Sequence, residues 1–188
     1  MNKIYMMTAV ELTSTAVEFV EKNYPKRYKK SLEYSQKSDR DLCLCVAVLL
    51  GKAGIAEDEI LCSDTGKPYL TDGRFVSISH SGNYCVLAVF DCPVGIDIEA
   101  VGRVKKNVSA RFFTEPEQAW AGDDKVKLTT LWTLKEALSK LTGKGIKMLF
   151  DGVDVLPLAK GDFFLFDGKK ITAELQFLGD YVLAIVIS

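Results

Sequence analysis

The sequence lacks a long apolar run and carries almost no net charge. Its formal charge at pH 7 is −1, so it has no bulk electrostatic attraction for nucleic acid or for an acidic membrane surface. A transmembrane helix needs about 20 consecutive apolar residues, and no stretch of the chain approaches that length. The first ten residues also lack the charged start and apolar run of a secretory signal. These absences favour a cytoplasmic protein that binds neither nucleic acid nor membrane.

The chain also lacks the residue patterns of a zinc site, a disulfide framework and a phosphate-binding P-loop. His80 is the only histidine, and the five cysteines are an odd number scattered through apolar stretches. We therefore expect the cysteines to be reduced thiols, buried as small hydrophobic residues. No Gly-x-x-x-x-Gly-Lys-Ser/Thr segment is present, which excludes a P-loop enzyme.

Two segments have the apolar spacing of long helices, and several others are typical of strands. Residues 38–50 and 128–141 each place four apolar side chains on one face, namely Leu42, Cys45, Val46 and Leu49 in the first and Leu131, Leu134, Leu138 and Leu141 in the second. Residues 75–80 and 84–90 flank a Ser-Gly-Asn turn, which predicts a β-hairpin. Residues 150–188 are expected to form strands with turns at glycines. The fold class is therefore α+β.

The two halves of the chain resemble each other weakly. Gly82-Asn83-Tyr84 leads into an apolar strand, and Gly179-Asp180-Tyr181 does the same. We expect two similar α+β halves related by a pseudo-twofold duplication, each a sheet packed against a long helix. The N-terminal half would be residues 1–93 and the C-terminal half residues 94–188, joined near Pro93. The alternative is a chance similarity, because hairpins draw on the same few turn residues.

Three carboxylates are candidates for a metal site. Asp97 and Glu99 alternate along a strand, so they point to the same side, where a cation between them would relieve their repulsion. Few, hard oxygen ligands suit Mg²⁺, which also binds substrate phosphates. Glu136 lies on the second long helix, in a stripe with Trp132 and Lys140. The alternatives are two solvated acids at a strand end and a surface Glu–Lys pair.

Phosphate ligands would come from other segments. Lys67 lies between Gly66 and Pro68 on a rigid turn, and Ser79 and His80 end a strand with hydroxyl, imidazole and backbone N–H groups. A basic stretch covers residues 22–30. The alternatives are a structural histidine and a solvated basic face.

Several of these segments occur together, in order, in one known family. The motifs are Gly66-Lys67-Pro68, Ser77-Ile78-Ser79-His80-Ser81, Gly95-Ile96-Asp97-Ile98-Glu99, Phe112-Phe113, Leu131-Trp132-Thr133-Leu134-Lys135-Glu136-Ala137 through Lys140, and Gly143-Lys144-Gly145. Read together, they resemble the two-halved, surfactin-synthetase-activating type of 4′-phosphopantetheinyl transferase. The order and spacing of the motifs over about residues 66–145 make this resemblance more specific than any single motif.

The resemblance implies an activity and a set of site residues. A Mg²⁺-dependent enzyme (with Mn²⁺ as a possible substitute) would transfer 4′-phosphopantetheine from coenzyme A to a serine of an apo acyl or peptidyl carrier protein. By motif position, the metal ligands would be Asp97, Glu99 and Glu136, the catalytic residues Glu136, Asp97 and Lys140, and the coenzyme A ligands Lys67, Ser79, His80, Arg40, Lys26, Lys29 and Lys140. Both halves in one chain imply a monomer. The alternative is a non-catalytic coenzyme A-binding protein with a role in regulation or assembly.

Overall fold

The computed structural model of the protein describes residues 2–188 and has the predicted α+β class. Its strands are β1 (Lys3–Thr8), β2 (Ile60–Cys62), β3 (Pro68–Leu70), β4 (Phe75–Ser81), β5 (Tyr84–Phe90), β6 (Val94–Ala100), β7 (Phe164–Phe166), β8 (Lys169–Leu178) and β9 (Tyr181–Ile187). Its α-helices are α1 (Ser14–Asn23), α2 (Pro25–Leu32), α3 (Lys37–Lys52), α4 (Lys106–Phe112), α5 (Glu115–Ala121), α6 (Lys125–Thr142) and α7 (Leu156–Ala159). Short 3₁₀ helices cover Ala9–Glu11 and Ile146–Asp151.

The strands form two main antiparallel sheets and a small ribbon. The first sheet has the order β1-β5-β4, and the second has the order β6-β9-β8-β7, while β2 pairs with β3 alone. The predicted hairpin is β4–β5, whose turn is Gly82-Asn83 because Ser81 still pairs with Tyr84. The two main sheets therefore draw on separate parts of the chain, apart from the direct connection between β5 and β6.

A long helix packs on each main sheet. α3 contacts β1 and β5, whereas α6 contacts β6 and β9. The sequence defines α6 at both ends, since the Asp124 side chain accepts hydrogen bonds from the Val126 and Lys127 amides and Gly143 ends the helix in the left-handed region. All eight predicted core-facing residues of the two helices are buried. Among residues 2–188, no helix has both the length and the hydropathy to cross a membrane.

The two main sheets meet in a shared apolar core. Val86 and Ala88 of β5 pack with Ile96 of β6 and with Leu183 and Ile185 of β9, and the first four of these are fully buried. Burial of this kind stabilises a fold by about 25 cal/mol per Å² of apolar surface removed from water. β4 and β6 consequently lie side by side, although they belong to different sheets.

The C-terminal segment differs from its prediction. Residues 150–188 were expected to be strands with turns at glycines, but their first part contains the end of a 3₁₀ helix and the one-turn helix α7. Both helices are held by contacts of Val155 and Leu158 with the buried residues around α6. They are too short to show a helical repeat of apolar residues, so the sequence did not predict them. The strand β1 was also not predicted from the sequence, and it pairs with β5 along its whole length.

Candidate active site

Alternate serines of β4 connect the two main sheets. Ser77, Ser79 and Ser81 share one face of the strand and are all buried. The Ser77 hydroxyl accepts a hydrogen bond from the Ile96 amide at 3.0 Å, and the Ser79 hydroxyl accepts one from the Ile98 amide at 3.3 Å. Side-chain oxygens thus take the place of a backbone ladder between β4 and β6. This junction brings the predicted carboxylates of β6 beside the predicted Ser79-His80 segment.

Asp97 lies at the centre of the junction. Its Oδ1 atom accepts hydrogen bonds from Ser79 Oγ at 2.7 Å and from Lys140 Nζ at 2.7 Å. Lys140 Nζ also donates to Ser79 Oγ at 2.9 Å. Burial raises the pKa of Asp97, and Lys140 and Ser79 oppose that shift. The buried Oδ2 atom has no hydrogen-bond partner among the described residues, which leaves a lone pair available for a ligand.

Glu99 follows Asp97 on the same face of β6. Its Oε2 atom accepts a hydrogen bond from Ser81 Oγ at 2.8 Å, and Arg103 Nη1 donates to the same hydroxyl at 3.0 Å. Burial raises the pKa of Glu99, and the neighbouring negative charge of Asp97 adds to the shift. The two carboxylates therefore interact unfavourably in the absence of a cation.

α6 supplies the third carboxylate because it lies unusually close to β6. A Cβ atom at Gly95 would collide with the Ala137 carbonyl and the Leu141 amide, so only glycine allows this approach. Glu136 precedes this contact and is half-buried. Burial raises the pKa of Glu136 to about 7, and the negative charges of Asp97 and Glu99 contribute in the same direction.

The carboxylates do not form a ready-made metal cage. Within residues 2–188, no group of three or more His, Cys, Asp or Glu side chains is arranged to hold a metal ion. Lys140 pairs with one of them, Asp97, at 2.7 Å. The donor chemistry still suits a hard dication, because Asp97 Oδ2 is unsatisfied and the carboxylates raise one another's pKa.

A cavity of about 520 Å³ lies beside the junction, and residues from Arg27 to Gly145 line it. Lys67 and His80 line it from one side, and Lys140, Gly143 and Gly145 line it from the other. Burial lowers the pKa of Lys67, whose Nζ atom donates to the Leu141 carbonyl. Partial desolvation lowers the pKa of His80, and the positive charge of Lys140 lowers it further. Ser79 is not among the lining residues, because its hydroxyl is directed to Asp97.

The basic N-terminal segment reaches the cavity through residues that sequence reasoning missed. Arg27 and Lys30 line this cavity and also a second cavity of about 400 Å³. Of the predicted residues, Lys26 lines the second cavity, whereas Lys29 and Arg40 line neither of the two. Spacing alone could not have found them, because positions 26 and 29 are also three apart on the helix of residues 25–32.

The geometry can be compared with known proteins. The sequence model of the 4′-phosphopantetheinyl transferase superfamily matches residues 93–186, which is half of the chain and includes all three carboxylates and Lys140. The chain belongs to this superfamily. The match covers β6 and α6, the two elements that carry the charged cluster.

Curated transferases from bacteria are similar over parts of the chain. The 4′-phosphopantetheinyl transferase Sfp of Bacillus subtilis is 36% identical over 93 residues, which are 47% of this chain and 41% of that protein. The transferase psf-1 of Bacillus pumilus is 43% identical over 75 residues, 37% of this chain and 32% of the relative. The transferase gsp of Aneurinibacillus migulanus is 36% identical over 89 residues, 45% of this chain and 38% of the relative. The matched part thus spans well under half the length of these relatives.

Proposed function

We propose that the protein transfers the 4′-phosphopantetheine group of coenzyme A to a serine of an apo acyl or peptidyl carrier protein. The observation that carries this proposal is the cluster of one buried and two half-buried carboxylates, Asp97, Glu99 and Glu136, beside Lys140, which also lines a basic cavity. Membership of the superfamily and the names of the curated relatives support the same reaction.

Glu136 is the proposed general base. In the metal-free protein its pKa is about 7, and a base works best when its pKa lies near the operating pH. A dication bound beside it would lower that pKa and keep the carboxylate in the ionised form that a base needs. No described residue donates a hydrogen bond to its carboxylate, so its oxygens are free to accept the proton of an incoming hydroxyl. The carrier serine would lose its proton to Glu136 while its oxygen attacks the β-phosphate of coenzyme A.

Positively charged residues would hold the phosphates and stabilise the charge that develops on them. Lys67, His80 and Lys140 all line the larger cavity. When the serine oxygen bonds to the β-phosphorus, the bond to the bridging oxygen breaks and 3′,5′-ADP leaves. Donors already fixed in place stabilise such a charge without reorganising during the reaction. Ser79, which binds Asp97 and Lys140, would position those two residues and contact the coenzyme only after a rearrangement.

We further propose that Asp97, Glu99 and Glu136 hold Mg²⁺, with Mn²⁺ as a possible substitute. The unsatisfied Asp97 Oδ2 atom and the mutual repulsion of the carboxylates support this assignment. A bound dication would neutralise charge on the pyrophosphate of coenzyme A and on the leaving group. In its absence Lys140 is the cation beside Asp97.

The carrier would dock on a basic and apolar surface around α4. Arg111 lies over the rings of Phe112 and Phe150, at 5.4 and 4.7 Å from their centroids, and half of Phe150 is exposed. Lys105 and Lys106 add positive charge at the start of the same helix. An acidic carrier domain would be attracted to this surface by charge complementarity.

The same proposal assigns different roles to the two halves of the chain. Residues 1–93 would bind coenzyme A, and residues 94–188 would bind the metal and carry out catalysis. The pairing of one sheet with one long helix in each half supports an origin by pseudo-twofold duplication, although the first sheet has three strands and the second has four. A cytoplasmic monomer is the expected form of the enzyme.

The direct test is the intact mass of an apo carrier protein after incubation with the protein, coenzyme A and MgCl₂. The proposal predicts a gain of one phosphopantetheine, which EDTA abolishes. The carriers should include fatty-acid, polyketide and peptide-synthesis types. No gain with any of them, together with intact coenzyme A binding, would instead identify a non-catalytic binding protein.

A further inference from the structure

The N-terminus of α2 is occupied by a carboxylate from a distant part of the chain. Glu57 Oε1 accepts a hydrogen bond from the Arg27 amide at 2.8 Å, and Oε2 accepts one from the Lys26 amide at 3.1 Å. The N-cap residue, Tyr24, provides no side-chain cap of its own. The first amides of a helix have no partner within the helix and attract negative charge. Glu57 therefore caps α2 from outside.

The segment that carries Glu57 is itself held in place. The Tyr24 hydroxyl donates to the Ile55 carbonyl at 2.6 Å, in a buried position. The Ala56 amide donates to Glu59 Oε2 at 2.6 Å, and the Glu59 carbonyl accepts from the Thr71 amide at 3.0 Å. Glu57 consequently connects α2 to a fixed part of the first half. A flexible surface carboxylate would not give this connection.

The helix that Glu57 fixes carries the two basic residues shared by both cavities. Arg27 and Lys30 are three positions apart on α2, and each lines the larger and the smaller cavity. Lys67, His80 and Lys140 line the larger cavity only. If the pyrophosphate of coenzyme A lies beside the carboxylate cluster, its remaining phosphate, the 3′-phosphomonoester, has Arg27 and Lys30 as basic partners.

We infer that Glu57 is a positioning residue, which orients α2 so that Arg27 and Lys30 meet a terminal phosphomonoester and which thereby sets the preference for coenzyme A over dephospho-coenzyme A. This inference rests on the proposed function. Charged side chains that are held in position lose less freedom on binding, so their contacts contribute more affinity. Loss of the Glu57 bonds releases the start of α2 and removes that advantage for the 3′-phosphate alone.

Removal of Glu57 should change the affinity for coenzyme A in opposite directions if the residue positions α2 and if it acts only through its charge. Glu57 and Asp58 both line the smaller cavity, so removal of either acid reduces repulsion toward a phosphate and should tighten coenzyme A binding if charge alone matters. Positioning predicts the opposite for Glu57. Asp58→Ala is therefore a matched control, since it removes the same charge and leaves the Glu57 bonds in place.

The experiment is a calorimetric titration of the protein and its variants with coenzyme A and with dephospho-coenzyme A, in MgCl₂ and without a carrier. We expect Glu57→Ala to weaken coenzyme A binding about tenfold, or about 1.4 kcal/mol, and to change dephospho-coenzyme A binding less than about twofold. Asp58→Ala should not weaken either ligand. Glu57→Gln, which keeps a side-chain oxygen acceptor, should retain part of the preference and serves if the alanine variant does not fold.

Three results would overturn the inference. They are a tighter or unchanged coenzyme A affinity in both Glu57 variants, an equal loss for both ligands, and a wild-type protein that does not distinguish the two ligands. In each case the proposed transferase function still stands if the wild-type protein binds coenzyme A and modifies a carrier. A wild-type protein that binds neither ligand would instead remove the proposed function itself.

Discussion

Two adjacent residues of α6, Lys135 and Glu136, have opposite environments. Lys135 is fully buried, and its Nζ atom lies 2.9 Å from Glu117 Oε2 and donates to the Val153 carbonyl. Glu117 is also fully buried and accepts further hydrogen bonds from the Thr114 and Val155 amides. Glu136 points about 100° away around the helix, toward two other carboxylates that raise its pKa.

We attribute the difference to a structural role for Lys135 and to the catalytic role that we propose for Glu136. Every buried polar atom of the Lys135–Glu117 pair is engaged within the protein, so the pair joins α5, α6 and the 153–155 segment and leaves nothing for a substrate. The Asp97–Glu99–Glu136 cluster has like charges and one unsatisfied buried oxygen. Perturbed and incompletely paired groups beside a cavity are typical of functional sites.

The largest expected effect is on stability, from Lys135→Ala. This change leaves Glu117 buried without its partner, which should lower the free energy of unfolding by about 3–5 kcal/mol in a denaturant titration. Lys144→Ala is the control, because Lys144 pairs with Asp167 at the exposed surface and should cost less than about 1 kcal/mol. A double change, Lys135→Met with Glu117→Gln, removes both charges, keeps a side-chain acceptor for the Val155 amide and should recover part of the loss. Similar losses for Lys135→Ala and Lys144→Ala would contradict the structural role.

Glu136→Gln should have the opposite effect on stability. Because the pKa of Glu136 rises from 4.5 to about 7 on folding, the folded protein holds more protons than the unfolded chain between these values. Stability therefore falls as pH rises from about 4.5 to 7, and glutamine removes this penalty. In EDTA the variant should be more stable than wild type at pH 8, with little difference near pH 4.5. Mg²⁺ should reduce the gap at pH 8 by stabilising the wild-type protein.

The control for that comparison is Glu174→Gln on the exposed part of β8. Thermal unfolding of wild type and both variants between pH 4.5 and 8 gives the measurement. A stability difference between wild type and Glu136→Gln that stays constant over this range would show that Glu136 does not titrate as proposed.

The smallest expected effect concerns Lys67, which lies in the cavity but outside the carboxylate cluster. Lys67→Ala should weaken coenzyme A binding about tenfold, the loss of roughly one charge-assisted hydrogen bond. Calorimetric titration measures it, and Lys170→Ala on β8 provides a distant control. An unchanged coenzyme A affinity would place Lys67 outside the binding site.

The sequence predicted the elements whose evidence is local. Periodic apolar residues predicted α3 and α6 to within a few residues of Lys37–Lys52 and Lys125–Thr142. The hairpin followed from Gly82 and alternating residues, and the capping box of Thr114 and Glu117 is also formed by residues close together in the chain. Repeats of 3.6 and 2 residues and short-range caps depend only on neighbours in the chain.

The remaining features depend on contacts between distant residues. Nothing near Glu117 in the sequence indicates that its buried partner is Lys135. In the same way, Arg27 and Lys30 were passed over in favour of Lys26 and Lys29, because the orientation of α2 depends on Glu57 thirty positions away. The motifs also predicted Ser79 as a phosphate ligand. Its hydroxyl is bonded to Asp97 and Lys140 in this structure, so a role in phosphate binding stays a prediction.

The central claim is that Glu136, and not its buried neighbour, performs the chemistry. The most direct measurement is the rate at which an apo carrier gains mass with Glu136→Gln and with wild type, under saturating coenzyme A and MgCl₂, with coenzyme A affinity measured in parallel. The account predicts a rate at least about 100-fold lower for the variant, with coenzyme A still bound. A variant that modifies the carrier at the wild-type rate would contradict it.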